Sequence, residues 1–186
     1  QYPHYQLRVP VRYAVLMQAR LPQLSKTLIP RSKSRNMSSA VRLPASWHNG
    51  PEDSFHGKIT PDGPFTPDKG RYHLYIGLFC PFAHRANLVL NLKRLNEYAD
   101  IGVSVVRPYP KGSEGWRFNT QGTPPYQDAT EEPFYGAKFL HELYFKVDPD
   151  YKGKYSVPVL WDKKLETIVN NESHELLRDL PSAFNV

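Results

Sequence analysis

Tyr72-His73-Leu74-Tyr75-Ile76-Gly77-Leu78-Phe79-Cys80-Pro81-Phe82-Ala83-His84-Arg85 is the stretch on which the fold turns, because its texture changes at its middle. Tyr72 to Leu78 is aromatic and aliphatic, the composition of a strand. From Pro81 to Tyr98, Leu88, Leu92 and Leu95 recur at i, i+4 and i+7, Ala86 and Val89 widen the stripe, and Lys93, Arg94 and Glu97 face away, which predicts an amphipathic helix. Cys80 stands at the junction. Proline suits a first helical turn, where its missing N–H would have had no partner, so Cys80 is expected at or beside the N-cap. A thiol there meets unpaired backbone N–H groups and the positive end of the helix dipole, which favour thiolate over thiol, and His84 and Arg85 one turn along add to this. The plainer reading of a lone cysteine is a small buried hydrophobe.

Downstream, Ile101 to Val106 is short, β-branched and alternating, and Pro108 and Pro110 close it as a second strand. Strand, helix and strand together have the size of a βαβ unit. A long loop with Trp116 and Thr123-Pro124-Pro125 follows. Phe134 to Val147 then puts Ala137, Leu140, Leu143, Tyr144 and Val147 on one helical face before Asp148-Pro149-Asp150 ends it. Ser156 to Trp161 and Glu166 to Val169 read as strands joined by Asp162-Lys163-Lys164, a hairpin. Asn171 to Leu180 reads as a closing helix with Asn171 as N-cap and Glu172 in the first turn. The order β-α-β-α-β-β-α predicts an α/β domain with a thioredoxin-like fold over residues 71–186, another small α/β sandwich being the alternative.

Upstream, residues 47–70 carry Asn49-Gly50-Pro51, Pro61-Asp62-Gly63-Pro64 and Pro67-Asp68-Lys69-Gly70, turn clusters that predict an irregular arm against the domain. Residues 1–46 lack a sustained period and are expected to be disordered. They hold eight basic residues and no Asp or Glu, so the formal +6 of the 186-residue chain becomes 16 basic against 18 acidic residues in the remainder. The basic charge therefore belongs to the extension, and neither nucleic acid nor a membrane is expected as a partner. An acid-free segment bearing Arg and Ser also suits a transit peptide, which sets the expected compartment as cytoplasmic, or mitochondrial if the segment is a targeting signal.

A single cysteine excludes an intramolecular disulfide framework, a Cys-x-x-Cys pair and cysteine-rich zinc modules, so cysteine chemistry here is monothiol. Cys80 and His84 at i, i+4 lack further ligands, and no metal is expected. Two other places join Cys80 as candidates. Pro158, in Val157-Pro158 at the start of a β-branched run, is either a trans edge proline or a cis-proline. Glu172-Ser173 opens the last helix, whose free N–H groups bind a carboxylate, while the Glu172 carboxylate accepts from an ammonium group; together they suit an amino-acid zwitterion, and plain helix capping is the alternative.

Cys80-Pro81-Phe82-Ala83-His84-Arg85 resembles the Cys-Pro-Trp-Ala-His-Arg motif of the glutathionyl-hydroquinone reductases, the Xi class of glutathione transferases, related to the Omega class. Gly115-Trp116-Arg117-Phe118, Asp148-Pro149-Asp150-Tyr151, Val157-Pro158-Val159-Leu160-Trp161-Asp162 and Ile168-Val169-Asn170-Asn171-Glu172-Ser173 resemble the same family in the same order. The resemblance implies that Cys80 is the nucleophile, attacking the sulfur of a glutathionyl-hydroquinone and becoming a mixed disulfide that a second glutathione resolves. It implies that Val157 pairs with the cysteinyl backbone of glutathione beside a cis Pro158, that Glu172 and Ser173 hold the γ-glutamyl end, that Trp116 packs on the ligand, and that Lys154 meets the glycyl carboxylate. Glutathione is the implied co-substrate, glutathionylated quinone-type molecules are the implied partners, and homodimers are implied for full-length members. Phe82 stands where the family has Trp. The resemblance covers the glutathione-binding half and implies that the family's helical C-terminal domain would begin near Phe184-Asn185-Val186. A non-catalytic thioredoxin-like module that binds glutathione is the alternative function.

Overall fold

The computed structural model describes residues 55–108 and 115–184. The disordered extension expected over 1–46, the turn at Asn49-Gly50-Pro51 and Pro110 lie outside the described residues. Four strands form one mixed sheet: β1 (Tyr72–Ile76), β2 (Gly102–Val105), β3 (Val159–Asp162) and β4 (Thr167–Asn170), in spatial order β2-β1-β3-β4. β1 runs parallel to β2 with His73 opposite Gly102, and antiparallel to β3 with Leu74 opposite Leu160. β3 and β4 form the expected antiparallel hairpin. A parallel half, a connecting segment and an antiparallel half make this the thioredoxin-like arrangement that the sequence order predicts. All five residues of β1 are buried, as suits a strand with a neighbour on both edges.

The crossover between the parallel strands β1 and β2 is made by α1 (Pro81–Leu92) and the short α2 (Leu95–Tyr98). One helix from Pro81 to Tyr98 was expected, but Arg94 takes φ +51 and divides it. The Arg94 N–H closes a tight turn on Asn91 O at 3.1 Å, its side chain pairs with Glu97, and the redirected chain buries Leu95 completely.

Phe134 to Val147 departs further from expectation, since only α3 (His141–Val147) is helical. Two carboxylates take the N–H groups that a longer helix would have needed. Glu132 accepts from the backbone of Phe134, Tyr135 and Ala137 at 3.1, 2.6 and 3.3 Å, and from the Tyr75 hydroxyl at 2.8 Å. Glu142 accepts from Lys138 and Phe139, both at 2.8 Å. Pairing with the preceding loop completes the diversion, through Phe118 N to Lys138 O at 2.9 Å and Leu140 N to Trp116 O at 2.8 Å. The apolar pattern is nevertheless honoured, because Ala137, Leu140, Leu143 and Tyr144 all reach the core.

The last helix, α4 (Ser173–Phe184), begins later and ends later than Asn171–Leu180, passing through Pro181. Asn171 is not its N-cap. The Asn171 amide points inward, accepting from Phe55 N at 2.7 Å and donating to the Tyr144 hydroxyl at 3.2 Å. Glu172 stands immediately before the helix, and the adjacent Asn170 holds it there, its Oδ1 accepting from Glu172 N at 2.7 Å.

Residues 55–70 are stitched to the sheet. Asn171 N donates to Phe55 O at 3.1 Å, Gly57 N donates to Val169 O at 2.7 Å, and His56 bridges Asn170, so the segment covers the outer edge of β4. At its other end Arg71, 6% exposed, donates to Pro64 O at 2.7 Å, Thr66 Oγ1 at 2.6 Å and, twice, to Asp162 Oδ2 at 2.9 and 2.6 Å. Asp162 is fully buried, and its other oxygen accepts Lys164 N and Leu165 N to close the β3–β4 turn.

Candidate functional site

Cys80 is the N-cap of α1, in extended conformation, with Pro81 in the first turn. Its N–H is spent on Gly77 O at 2.9 Å and its carbonyl accepts His84 N at 3.0 Å, so the backbone fixes where the side chain starts. The thiol is half-buried, and its Sγ lies 3.7 Å from the carbonyl oxygen of Val157. The Val157–Pro158 bond is cis, and both residues are buried just before β3. Because β1 and β3 are direct neighbours, the end of one strand and the start of the other meet at a single edge of the sheet, which brings a thiol and a backbone 77 residues apart into contact.

Trp116 reaches the same edge. Its ring packs against Phe79, the residue before Cys80, with centroids 4.4 Å apart at 37°. The Phe79 ring folds back over Gly77, where a Cβ would come within 2.6 Å of it, so a side chain at that point of the turn would displace the ring. Leu140 N holds the Trp116 carbonyl, and the ring is half-buried against the core.

Glu172 and Ser173 stand at the start of α4. The Glu172 carbonyl accepts the N–H of Glu175 at 3.1 Å and of Leu176 at 3.0 Å, so the N–H groups of Ser173 and His174 are the first that the helix leaves without an internal acceptor. The Glu172 carboxylate is partly exposed, with His174 Nδ1 3.6 Å away. Ser173 is 7% exposed and its hydroxyl accepts from Arg85 Nη1 at 3.1 Å. Accepting from a guanidinium leaves that hydroxyl its own hydrogen to donate. Arg85 therefore joins α1 to α4, which pack against each other, and also lies over the Phe82 ring at 5.2 Å.

Lys154 is exposed. Its carbonyl anchors the loop, accepting Ser156 N at 3.0 Å and the Tyr151 hydroxyl at 3.3 Å, and no described contact brings its ammonium to the other candidates. Among the described residues no group of three or more His, Cys, Asp or Glu side chains is placed to hold a metal ion.

The family pattern described as the N-terminal domain of glutathione S-transferase matches residues 79–183, from the residue before the thiol to the last turn of α4. The chain belongs to the glutathione S-transferases. Among its relatives, the glutathione S-transferase omega-like 2 of Schizosaccharomyces pombe is 44% identical over 133 residues, which are 71% of this chain and 40% of that protein. The glutathionyl-hydroquinone reductase YqjG of Escherichia coli is 44% identical over 126 residues, 68% of this chain and 36% of that one. Among solved structures, the glutathione S-transferase Xi of Phanerochaete chrysosporium superposes with a TM-score of 0.64 at 49% identity, covering 69% of this chain and 42% of that chain. The glutathione-bound structure of YqjG gives a TM-score of 0.62 at 41% identity, covering 75% and 44%. The resemblance to the Xi class and the thioredoxin-like fold are thereby borne out. The chain spans about two fifths of the length of the relatives it matches.

Within this transferase domain the outer faces of α1 and α4 carry exposed Leu88, Leu92 and Leu177, and Phe82 beside the thiol is 57% exposed. The site also includes residues that the motifs did not single out. His56, Asn170 and Glu175 form a hydrogen-bonded group behind Glu172. No local pattern marks His56, which sits in a turn-rich arm. Asn170 and Arg85 lie inside matched motifs, yet their partners are set by the fold.

Proposed function

We propose that this chain is the glutathione-binding part of a glutathionyl-hydroquinone reductase. The observation that carries the reading is Cys80 Sγ at an N-cap, 3.7 Å from the carbonyl of Val157 in a cis Val157–Pro158 pair, at the sheet edge that Trp116 also reaches. An extended tripeptide laid along that edge pairs its cysteinyl backbone with Val157 and brings its sulfur to Cys80. The γ-glutamyl end then reaches α4. Its carboxylate takes the free N–H groups and the Ser173 hydroxyl, and its ammonium group faces the Glu172 carboxylate. Lys154 serves the glycyl carboxylate only if its exposed side chain swings toward the ligand.

The chemistry follows from a single thiol. The Cys80 thiolate attacks the sulfur of a glutathionyl-hydroquinone, the bond between that sulfur and the ring carbon breaks, and the carbon takes up a proton as the hydroquinone leaves. Cys80 is then joined to glutathione as a mixed disulfide. A second glutathione thiolate attacks the glutathione sulfur, giving oxidised glutathione and restoring the Cys80 thiolate. The relatives named as glutathionyl-hydroquinone reductases and the glutathione-bound YqjG structure support this substrate class.

Steady-state reduction of a glutathionyl-hydroquinone by the chain and by Cys80→Ser tests the proposal. Loss of at least about 100-fold in the variant is expected, and equal rates would overturn the role of Cys80. A second reading, glutathione binding without turnover, draws on the exposed Leu88, Leu92 and Leu177 of α1 and α4. It predicts calorimetric binding of glutathione with no hydroquinone released by either protein.

A further inference from the structure

We propose that His56 is a positioning residue for the γ-glutamyl end of glutathione, acting through Glu175 and Asn170 on the backbone of Glu172; this rests on the glutathione site proposed above. Three short contacts connect them. His56 Nδ1 lies 2.9 Å from Glu175 Oε1, Asn170 Nδ2 donates to Glu175 Oε2 at 2.8 Å, and Glu172 N donates to Asn170 Oδ1 at 2.7 Å. A carboxylate only accepts, so the Nδ1 of His56 carries a proton and the direction of every bond in the series is fixed. Burial pushes the Glu175 carboxyl up, but the Asn170 and His56 hydrogen bonds outweigh it and hold the group below its ordinary range. Glu175 is thus a fixed anion between two donors.

The series ends at the ligand end of α4 and not in the core. Asn170 is 1% exposed and its amide is saturated: Nδ2 serves Glu175 and Gly57 O, the latter at 3.0 Å, while Oδ1 serves Glu172 N. Its orientation therefore depends on Glu175 staying in place. Glu172 N in turn sets the peptide plane that leads into the free N–H groups of Ser173 and His174. Glu175 has one further charged neighbour, the exposed His174 at 3.9 Å, too long for a hydrogen bond. Asn170 and His56 are the two groups that hold the carboxylate, and His56 is the one that reaches it from the arm. His56 is itself held by the backbone, through its bridge to Asn170 and the Gly57 N to Val169 O bond at 2.7 Å, while its Nε2 is buried with no partner. The hydrogen bond described for the ring is therefore the one from Nδ1 to Glu175 Oε1. The segment from residue 55 to residue 70 thereby becomes part of the binding site through His56.

The test uses the whole chain and two readouts. Glutathione affinity is measured by calorimetry, and amide hydrogen exchange is compared at Glu172 and at Leu160 in β3. His56→Phe keeps a ring and lacks the donor; His56→Asn places an amide nitrogen where Nδ1 stood. His56→Phe is expected to weaken glutathione about 5- to 10-fold and to speed exchange at Glu172 by about the same factor with Leu160 unchanged, and His56→Asn to stay within about twofold of wild type in both. Unchanged affinity in His56→Phe, equal acceleration at both amides, or no rescue by His56→Asn would overturn the role of His56. If His56→Phe does not fold, the rescue and exchange pattern of His56→Asn and His56→Gln decide, since Gln carries its nitrogen past Glu175 and is expected to bind as weakly as the ring without a donor. Wild type that fails to bind glutathione would overturn the site itself, an outcome separate from any difference among variants.

Discussion

The two halves of the sheet present their functional groups by different means. In the parallel half, Cys80 is placed by a strand, a turn on Gly77 and an N-cap, all within a few residues of it. In the antiparallel half, the start of α4 is placed by side chains from afar: Arg85 is 88 residues from Ser173 and His56 is 119 from Glu175. The difference teaches where each half is vulnerable. The thiol's starting point is set by backbone bonds close to it in the chain. The binding end is a network, and each lost member loosens the next.

The largest effect expected from breaking this contrast is on the join between the halves. Asp162, at the end of β3, holds Arg71 at the start of β1 with two hydrogen bonds while closing the β3–β4 turn. Asp162→Ala leaves a buried guanidinium without its main counter-charge and two backbone N–H groups unpaired. A loss of about 3–5 kcal/mol in unfolding free energy is expected from urea titration, and a loss below about 1 kcal/mol would show that Asp68 takes over the pairing.

A smaller effect separates the halves by pH. His73, on β1, packs between Tyr75 and Phe134 with its Nε2 2.9 Å from Ser104 Oγ, and it fits because Gly102 opposite has no Cβ, which would come within 2.6 Å of Nδ1. Burial, and then Lys163, lower its pKa from 6.5 to about 4, with Glu132 opposing. The unfolded chain therefore binds the proton first. Stability contributed by the neutral ring is fully present above about pH 6.5, declines as pH falls and is gone below about pH 4, a change of about 3 kcal/mol at most. In His73→Asn the fall in urea midpoint between pH 7 and pH 4.5 is expected to be shallower by the equivalent of about 2 kcal/mol; parallel curves for the two proteins would place the acid sensitivity elsewhere.

The same contrast explains what could be read from the sequence. Strand texture and the Cys80-Pro81 junction are local signals, so the β-α-β half and the N-cap were legible, whereas the leucine stripe was not the buried face: α1 buries Ala83, Ala86, Val89 and Leu90 and exposes Leu88 and Leu92. Val157-Pro158 and the hairpin were legible for the same reason. The helix expected at Phe134 was not there, because its apolar spacing also fits a folded loop, and the carboxylates of Glu132 and Glu142 that captured its N–H groups gave no periodic sign. Asn171 was expected to cap α4, but Phe55 and Tyr144 hold its amide inward, while the adjacent Asn170 fixes the turn before the helix through Glu172 N, a division that a local capping rule does not see. His56 has no sequence mark at all. Contacts made over more than a hundred residues belong to topology, and topology was known only after the strands were paired.

The smallest effect sharpens the contrast at a single bond. Arg85 belongs to the motif around the thiol, yet its side chain serves the other half by donating to Ser173 Oγ at 3.1 Å. With one lone pair of the hydroxyl occupied, the Ser173 hydrogen is directed away from Arg85 and toward whatever acceptor sits at the helix start. Arg85→Ala frees the hydroxyl to rotate and removes a positive charge near the γ-glutamyl carboxylate, so glutathione should weaken by about 3- to 10-fold in calorimetry. Arg85→Lys keeps the charge on a more flexible stem that lacks the guanidinium fork, and should recover only part of the loss. The rate at which iodoacetamide alkylates Cys80 should meanwhile change by less than about twofold, because the backbone at Gly77, Pro81 and Val157 still sets the thiol's surroundings. A large change in alkylation with glutathione affinity intact would place Arg85 with the thiol and remove the distinction between the halves.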